Sequence, residues 1–453
     1  MYIIIVGAGK LGYQLAEMFS FKQNNVVLVD VNAAALTKAS ANLDVLTVHA
    51  NGLSTEVLKQ LKIDTADMLI AVSSSDETNM LLSTIAKKLG CPQAIARIRT
   101  PEHSGQLDFL KTHFEINYVS NPDYEIAREI MKYLVSSEAT TLEDFAKGRI
   151  SMVEFKLEES SELIDKAIME LDLPRKMLIV GITRDGELII PNGNTKLLLD
   201  DILYLLGVKE EVYNFKKTHG HPIKKRKIKS TIILGGGNSA FYLTQLLVQT
   251  GVSVKIIEQN KERCKQLAQS LPDALIIHGD ASDLSLLEEE NLSETDALVL
   301  LTGFDEENIL LSMIAKKQGV EKVITKVSRP NYVPLIEKLG IEAAVNPILI
   351  TASGIMRHVQ GGRLLSMTML LGGQAEVMEI IVDEDSAIVD KPLKDINLPE
   401  GLIIGAFVRK GKVFIPDGQT EIEAGDRVVV FCSSENSNKI DSYFYKKKRG
   451  FFK

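Results

Sequence analysis

The chain has 453 residues, 45% hydrophobic and 25% charged, with a formal net charge of −8. That length leads us to expect roughly three domains of ordinary globular composition, and the acidic balance argues against general nucleic-acid binding. Three widely spaced cysteines, Cys91, Cys264 and Cys432, fit no metal-ligand or CxxC pattern and read as reduced thiols, and every apolar run falls well short of the ~20 residues that cross a bilayer.

In chain order, apolar runs at 2–6, 26–30, 45–48, 68–72 and 94–98 predict strands. Between them, residues 10–21 and 76–89 carry apolar side chains at three- and four-residue spacing and predict helices. Short continuous apolar strands alternating with helices indicate a doubly wound parallel α/β sheet covered on both faces. The apolar run starts at the first residues and leads into a glycine turn that the fold needs, which speaks against a signal peptide. A cytosolic chain is expected.

From about residue 150 the pattern changes. β-rich runs at 151–157, 177–183, 187–190 and 202–206, with a turn at Arg184-Asp185-Gly186, predict a small α+β module of about 70 residues. KKTHGHPIKKRKIK (216–229) then has seven Lys/Arg and no acid. It reads as a solvated linker, or as a contact for acidic lipid headgroups or an acidic partner surface. The tail KKKRGFFK (446–453) joins charge to two phenylalanines and suggests a partner contact.

The remainder repeats what precedes it. HANGLSTEVLKQLKIDTADMLIAVSSSDETNMLLSTIAKKLG from His49 aligns without a gap to HGDASDLSLLEEENLSETDALVLLTGFDEENILLSMIAKKQG from His278. SMVEFKLEESSELIDKAIMELDLP matches EVMEIIVDEDSAIVDKPLKDINLP 225 positions later. The chain is therefore a tandem duplication of a two-part unit. Its expected domains are α/β at 1–135 and 230–360, α+β at 140–215 and 364–445, and a basic linker at 216–229.

Each α/β domain opens on a glycine-rich turn between a strand and a helix. In GAGKLG, Gly7 permits the tight turn, Gly9 lets the backbone approach a pyrophosphate, and Gly12 lets the helix pack on the sheet. The N–H groups of Ala8, Gly9, Lys10 and Leu11 then face the phosphates at a helix N-terminus. Asp30, ending the second strand, can accept both ribose hydroxyls and would repel a 2′-phosphate, favouring NAD(H) or an adenine nucleotide over NADP(H). The second copy offers Gly235, Gly236, Gly237, Asn238 and Ser239, with Ala240 as the third small residue and Glu258 in place of Asp30. Asn238 replaces Lys10, so a loss of positive charge is expected there.

Further strand-end loops lie on the same edge. Asn51-Gly52 and Gly279-Asp280 are placed to bracket adenine and ribose, and Ser73-Ser74-Ser75 and Thr302-Gly303 to face a cofactor. Asp76-Glu77 and Asp305-Glu306 read most simply as helix N-terminal acids, with a direct ligand or cation role as the alternative. In IARIRTPEH, Arg97 and Arg99 alternate, so one should enter the crevice; Arg97 is the expected phosphate ligand. Lys326 and Ser328 replace them in the second copy.

These motifs, together with ADMLIAVSSSDETNM, GDASD, IIPNG and FIPDG, resemble those of the cytosolic nucleotide-binding subunits of Trk potassium-uptake systems (the TrkA family) along essentially the whole chain. The resemblance implies two Rossmann-like domains, each followed by a small α+β domain, as regulator-of-potassium-conductance (RCK) modules. It implies binding of NAD/NADH and ATP/ADP, a homotetrameric ring, and a peripheral position on the inner face of the membrane beneath a potassium-conducting subunit. Carried over to this chain, the first site is Gly7 to Leu11, Asp30, Asn51-Gly52, Ser73-Ser74 and Arg97. The second is Gly235 to Ser239, Glu258, Gly279-Asp280 and Thr302. Two departures stand out: Asp200 where the second unit has Gly425, and no Gly-Asp in the first third-strand loop. The alternatives are an NAD-dependent oxidoreductase, or the regulator of a related cation channel or antiporter. An enzyme is disfavoured because no histidine falls in a candidate catalytic domain and the duplicated β-rich modules share no polar constellation.

Overall fold

The computed structural model describes all residues except 101–106, 136–140, 220–227, 330–331, 333–335, 337–338, 340, 342, 360–363, 371–372 and 445–453. The tail at 446–453, most of the basic linker and the end of IARIRTPEH lie outside the described residues.

Six parallel strands form the first sheet: β1 (Tyr2–Val6), β2 (Asn25–Asp30), β3 (Leu46–His49), β4 (Met68–Ala71), β5 (Ala94–Arg97) and β6 (Tyr118–Ser120). Their order is β3-β2-β1-β4-β5-β6. Ile3, Ile4 and Ile5 on central β1 are fully buried, as expected of a strand covered on both faces. The chain reverses direction across the sheet between β1 and β4, so the turn after β1 opens at the topological switch point.

Five short antiparallel strands follow: β7 (Thr141–Phe145), β8 (Ile150–Lys156), β9 (Met177–Arg184), β10 (Glu187–Ile189) and β11 (Ile202–Val208), in the order β10-β9-β11-β8-β7. The second repeat has parallel β12 (Ser230–Leu234), β13 (Ser253–Glu258), β14 (Leu275–His278), β15 (Ala297–Leu300), β16 (Lys322–Lys326) and β17 (Ala343–Val345), ordered β14-β13-β12-β15-β16-β17. Its last sheet contains β18 (Leu364–Leu370), β19 (Ala375–Ile381), β20 (Leu402–Arg409), β21 (Lys412–Phe414) and β22 (Arg427–Ser433), ordered β18-β19-β22-β20-β21. Taken from the other edge, that order matches the first module strand for strand.

Tandem in sequence, the repeats pair like with like in space. One compact unit gathers Met1–Leu134, Ile228–Arg329 and the stretch ending at His358, and so holds both α/β domains; the other holds both β-rich modules. In the α/β unit, helix Pro122–Val135 supplies Ile126, Ala127, Ile130 and Leu134 to one core with Tyr242, Leu243 and Leu247 of helix Asn238–Gln249. The reciprocal helix Pro347–Val359 stacks His358 on Tyr118 at 4.5 Å between ring centroids. In the other unit, Phe145, Met152, Tyr204 and Leu206 share a core with Val377, Ala406, Val429 and Phe431. Glycine is needed for this contact: a Cβ on Gly181 would fall 2.7 Å from Phe431, and one on Gly405 would fall 2.2 Å from Leu206. Each module also buries an equivalent aspartate against an arginine, Asp201 with Arg184 and Asp426 with Arg409.

The expected strands and helices agree with these elements to within a residue or two. β6, β7 and helix Pro122–Val135 were not anticipated, nor were their second-repeat counterparts. The expected start of the linker at 216 needs correction. Lys216–His219 close helix Lys209–His219, and Lys216 is buried with its ammonium donating to the Glu154 carbonyl at 3.1 Å. Asp200, one of the two departures, adopts φ +66°, the left-handed conformation Gly425 holds at +85°, which aspartate tolerates better than most residues. Among the described residues, no helix is long and apolar enough to cross a membrane.

Candidate functional site

The first glycine turn is set by sterics. Gly7 has φ +112°, and a Cβ there would fall 2.8 Å from Val72 and Ser73 backbone atoms. A Cβ on Gly12 would lie 1.7 Å from the Gly7 carbonyl oxygen, so helix Lys10–Phe21 can start this close to the sheet only without a side chain there. Gly9 differs: it is exposed and nothing lies within 4 Å of its Cβ position. It is the helix N-cap, with no side-chain hydrogen bond to the first turn. The first-turn N–H groups and the dipole therefore face outward, an arrangement suited to phosphate. Lys10 is exposed beside them, and Leu11 turns inward.

Asp30, at the end of β2, accepts hydrogen bonds from the Ala8 and Asn32 N–H groups, the latter at 2.7 Å. Its carboxylate is thereby fixed beside the turn, with lone pairs left over for ribose hydroxyls. The second copy repeats this with a compensating pair of changes. Glu258 accepts from Gly236 N–H and Asn260 N–H, both at 2.7 Å. The longer carboxylate reaches under the turn, so a Cβ on Gly236 would sit 3.0 Å from Glu258 Oε2 and 2.6 Å from Leu267. Alanine at position 8 goes with aspartate, and glycine at 236 with glutamate. Gly235 holds φ +95°, and Gly237, like Gly9, is an exposed, side-chain-free N-cap.

The third-strand loops are equivalent despite their different sequences. Asn51 Oδ1 accepts from Leu53 N–H at 3.0 Å and Asp280 Oδ1 from Ser282 N–H at 2.8 Å. The bonds from Ser282 also hold the exposed Asp280 carboxyl below its ordinary range. Gly52 and Gly279 leave room for Val6 and Leu286, which a Cβ would approach to 2.4 and 2.3 Å.

After the fourth strand, the small polar residues are less available than expected. Ser73 donates its hydroxyl to Asn79 Oδ1 at 2.8 Å, and Thr302 donates likewise to Asn308 at 2.7 Å. Asn79 and Asn308 are fully buried and donate onward to the Arg97 and Lys326 carbonyls at 2.9 and 3.0 Å. They clamp the end of one strand to the end of the next. Their identity in both copies was the available signal. Ser74 is exposed, and Ser75 caps helix Asp76–Lys88.

The acid pairs do more than favour a helix dipole. Asp76 accepts from the Arg99 and Thr100 N–H groups, both at 2.9 Å, and Asp305 from those of Ser328 and Arg329, both at 3.0 Å. Each acid thus shapes the loop after the fifth strand. Of the two arginines, Arg97 turns to the strand-end crevice and donates to the Ser73 carbonyl at 2.5 Å, while its Nε is buried without a partner. Burial lowers its pKa, with Arg99 adding to the effect. Lys326 takes the equivalent place, donating to the Leu301 carbonyl at 3.0 Å.

Two expectations about the second turn change. Its positive charge is not lost with Lys10, because Arg263 donates to the Gly236 carbonyl at 2.8 Å and to Asn238 Oδ1 at 3.2 Å. Sequence offsets hid this, since the first copy has Ala35 there. Ser239, expected to face a phosphate, instead donates its hydroxyl to Asp123 of the first repeat at 2.5 Å.

Comparison with known proteins agrees with the architecture. A TrkA-N domain model matches residues 3–122 and 231–347, and a TrkA-C domain model matches 152–220 and 377–445. The chain is 32% identical over 452 residues to "Trk system potassium uptake protein TrkA homolog 1" of Methanosarcina mazei, covering 98% of this chain and 100% of that protein. It is 33% identical over 445 residues to the TrkA homolog of Archaeoglobus fulgidus, with 98% and 100% covered. Among solved structures, "GsuK Channel" shares the fold with a TM-score of 0.59 at 18% identity, covering 97% of this chain and 78% of that one. "Crystal Structure of the GsuK RCK domain" gives 0.57 at 18%, covering 97% and 94%. With two matched TrkA-N/TrkA-C pairs on two glycine-turn α/β domains and two antiparallel modules, the chain belongs to the TrkA family.

Proposed function

We propose that this chain is the nucleotide-sensing regulatory subunit of a Trk-type potassium-uptake system, binding NAD(H) and ATP or ADP at its two glycine turns. The observation that carries this reading is the pairing, in each repeat, of an open helix N-terminus with a strand-end carboxylate (Gly9 with Asp30, Gly237 with Glu258), in a chain related along its length to proteins named for potassium uptake. The sites comprise Gly7 to Leu11, Asp30, Asn51-Gly52, Ser73-Ser74 and Arg97, and Gly235 to Ser239, Glu258, Gly279-Asp280 and Thr302. Asp30 and Glu258 select a free ribose 2′-hydroxyl and repel a 2′-phosphate.

Such a subunit would work as a homotetrameric ring on the inner face of the membrane, against the potassium-conducting subunit. Nucleotide in a crevice between strand ends would favour one packing of adjacent α/β domains. It shifts that equilibrium only by its difference in affinity for the two packings. Calorimetric titration with ATP, ADP, NADH and NADPH, counting sites per chain, tests the reading. Binding of the first three with NADPH excluded is expected; if none binds, the turns are scaffold and the proposal falls.

A further inference from the structure

The two glycine turns differ in what the neighbouring domain presents to them. Asp123, in the first turn of helix Pro122–Val135, is 7% exposed. One of its carboxylate oxygens accepts from Ser239 Oγ at 2.5 Å, and the other from Arg99 Nε at 3.0 Å. Neighbouring contacts fix the arrangement. Asn121 donates to the Tyr242 hydroxyl at 3.0 Å, and the Arg99 carbonyl lies 3.5 Å from Asn238 Nδ2. A carboxylate from the first repeat is thus built into the opening residues of helix Asn238–Gln249, beside N–H groups that no side chain of their own caps. Its field extends to Lys326 and also to Arg97, where in each case it offsets part of the effect of burial.

Among the described residues, no carboxylate of the second repeat is hydrogen-bonded to the opening residues of helix Lys10–Phe21. At the positions equivalent to Ser239 and Asp123, the chain has Leu11 and Ile348, which can neither donate to nor supply a carboxylate. The asymmetry lies in residues that the duplication would otherwise have kept alike.

We propose that Asp123 sets the specificity of the second turn, holding a fixed negative charge at its phosphate end so that this site takes a dinucleotide or nucleoside diphosphate in preference to a triphosphate. The inference rests on the proposed nucleotide site at Gly235 to Ser239. Arg99, paired with Asp123 Oδ2, offsets part of this charge; Oδ1, bonded to Ser239, is the oxygen at the turn, and each added phosphate charge beside it is disfavoured, since exclusion of water leaves the repulsion poorly screened. Binding of a longer phosphate chain would have to displace Asp123 from Ser239.

The test uses the full chain with the first turn silenced by Gly9→Val, titrated calorimetrically with ATP, ADP and NADH without divalent cations. In that background ADP and NADH should bind more tightly than ATP. Asp123→Asn keeps the shape and an acceptor for Ser239 while removing the charge, and should raise ATP affinity about ten-fold more than ADP affinity. Equal changes for the two nucleotides, no change, or a loss of ATP affinity would overturn the role of Asp123. Adding Gly237→Val separates this from failure of the underlying site. If that variant, folded by its melting curve, binds ADP and NADH unchanged, no nucleotide sits at the second turn and both readings fall.

Discussion

Gly9 is the position where folding and binding separate most cleanly. It adopts φ −67° and ψ −176°, a conformation open to any L-residue, and its Cβ direction leads into unoccupied space. Gly9→Val should therefore cost the fold no more than about 1 kcal/mol, the scale of an altered N-cap. The branched side chain would cover the N–H groups of Lys10 and Leu11 and hold a pyrophosphate off the helix N-terminus. Loss of two charge-assisted hydrogen bonds, each about 1.5–3 kcal/mol, removes about 3–6 kcal/mol of binding, or at least about 100-fold in affinity. Gly12→Ala is the contrasting variant. Its methyl group would fall 1.7 Å from the Gly7 carbonyl oxygen, so it should destabilise the domain by several kcal/mol, on the order of the severe steric cases. Thermal denaturation and calorimetry on both variants give the comparison. Unchanged first-site affinity in a well-folded Gly9→Val protein would show that the pyrophosphate lies elsewhere. A melting temperature lowered as far as in Gly12→Ala would show that Gly9 serves the fold rather than the ligand.

Two further outcomes follow from particular side chains. Arg97 turns into the first crevice, and its Nε is unpaired. Arg97→Ala should narrow the difference between ATP and ADP binding at the first turn; an undiminished difference in titration would dismiss it as a sensor of the terminal phosphate. Glu125 concerns pH. Burial raises its carboxyl to about 7, opposed by bonds from Ser120 and Tyr118 and by Arg357 and Arg128. Burial, with Lys111 adding to it, lowers the pKa of His358, which is stacked on Tyr118. Because the folded value lies above the ordinary ~4.3, stability from this group is complete below about pH 4 and fades as pH rises through about 7. The loss is on the order of 3 kcal/mol. Glu125→Gln should flatten the dependence of melting temperature on pH between about 5 and 8 and leave the variant more stable than the parent at the alkaline end. An equally steep profile in the variant would refute the assignment.

The sequence by itself determined the duplication, the parallel α/β character of each first half and the two glycine turns, because each leaves a local mark. Covered strands are continuous apolar runs, and a strand-to-helix turn at φ +112° demands Gly7. The paired substitutions Ala8 with Asp30 and Gly236 with Glu258 were also on the page as letters, although their common cause, one methylene beneath the turn, is a matter of distance. β6 escaped notice because a three-residue strand has no measurable period. Helix Pro122–Val135 lacked any motif to draw attention to it. Only the tertiary structure decided that like halves pair across the repeats, and with that which groups surround each turn. Asp123 meets Ser239 from 116 positions away, and Arg263 takes over from Lys10 through a different helix. Spacing along a chain specifies a backbone turn, because a turn is made by neighbours. The charge facing that turn comes from whichever residues packing brings there, and no local pattern records it.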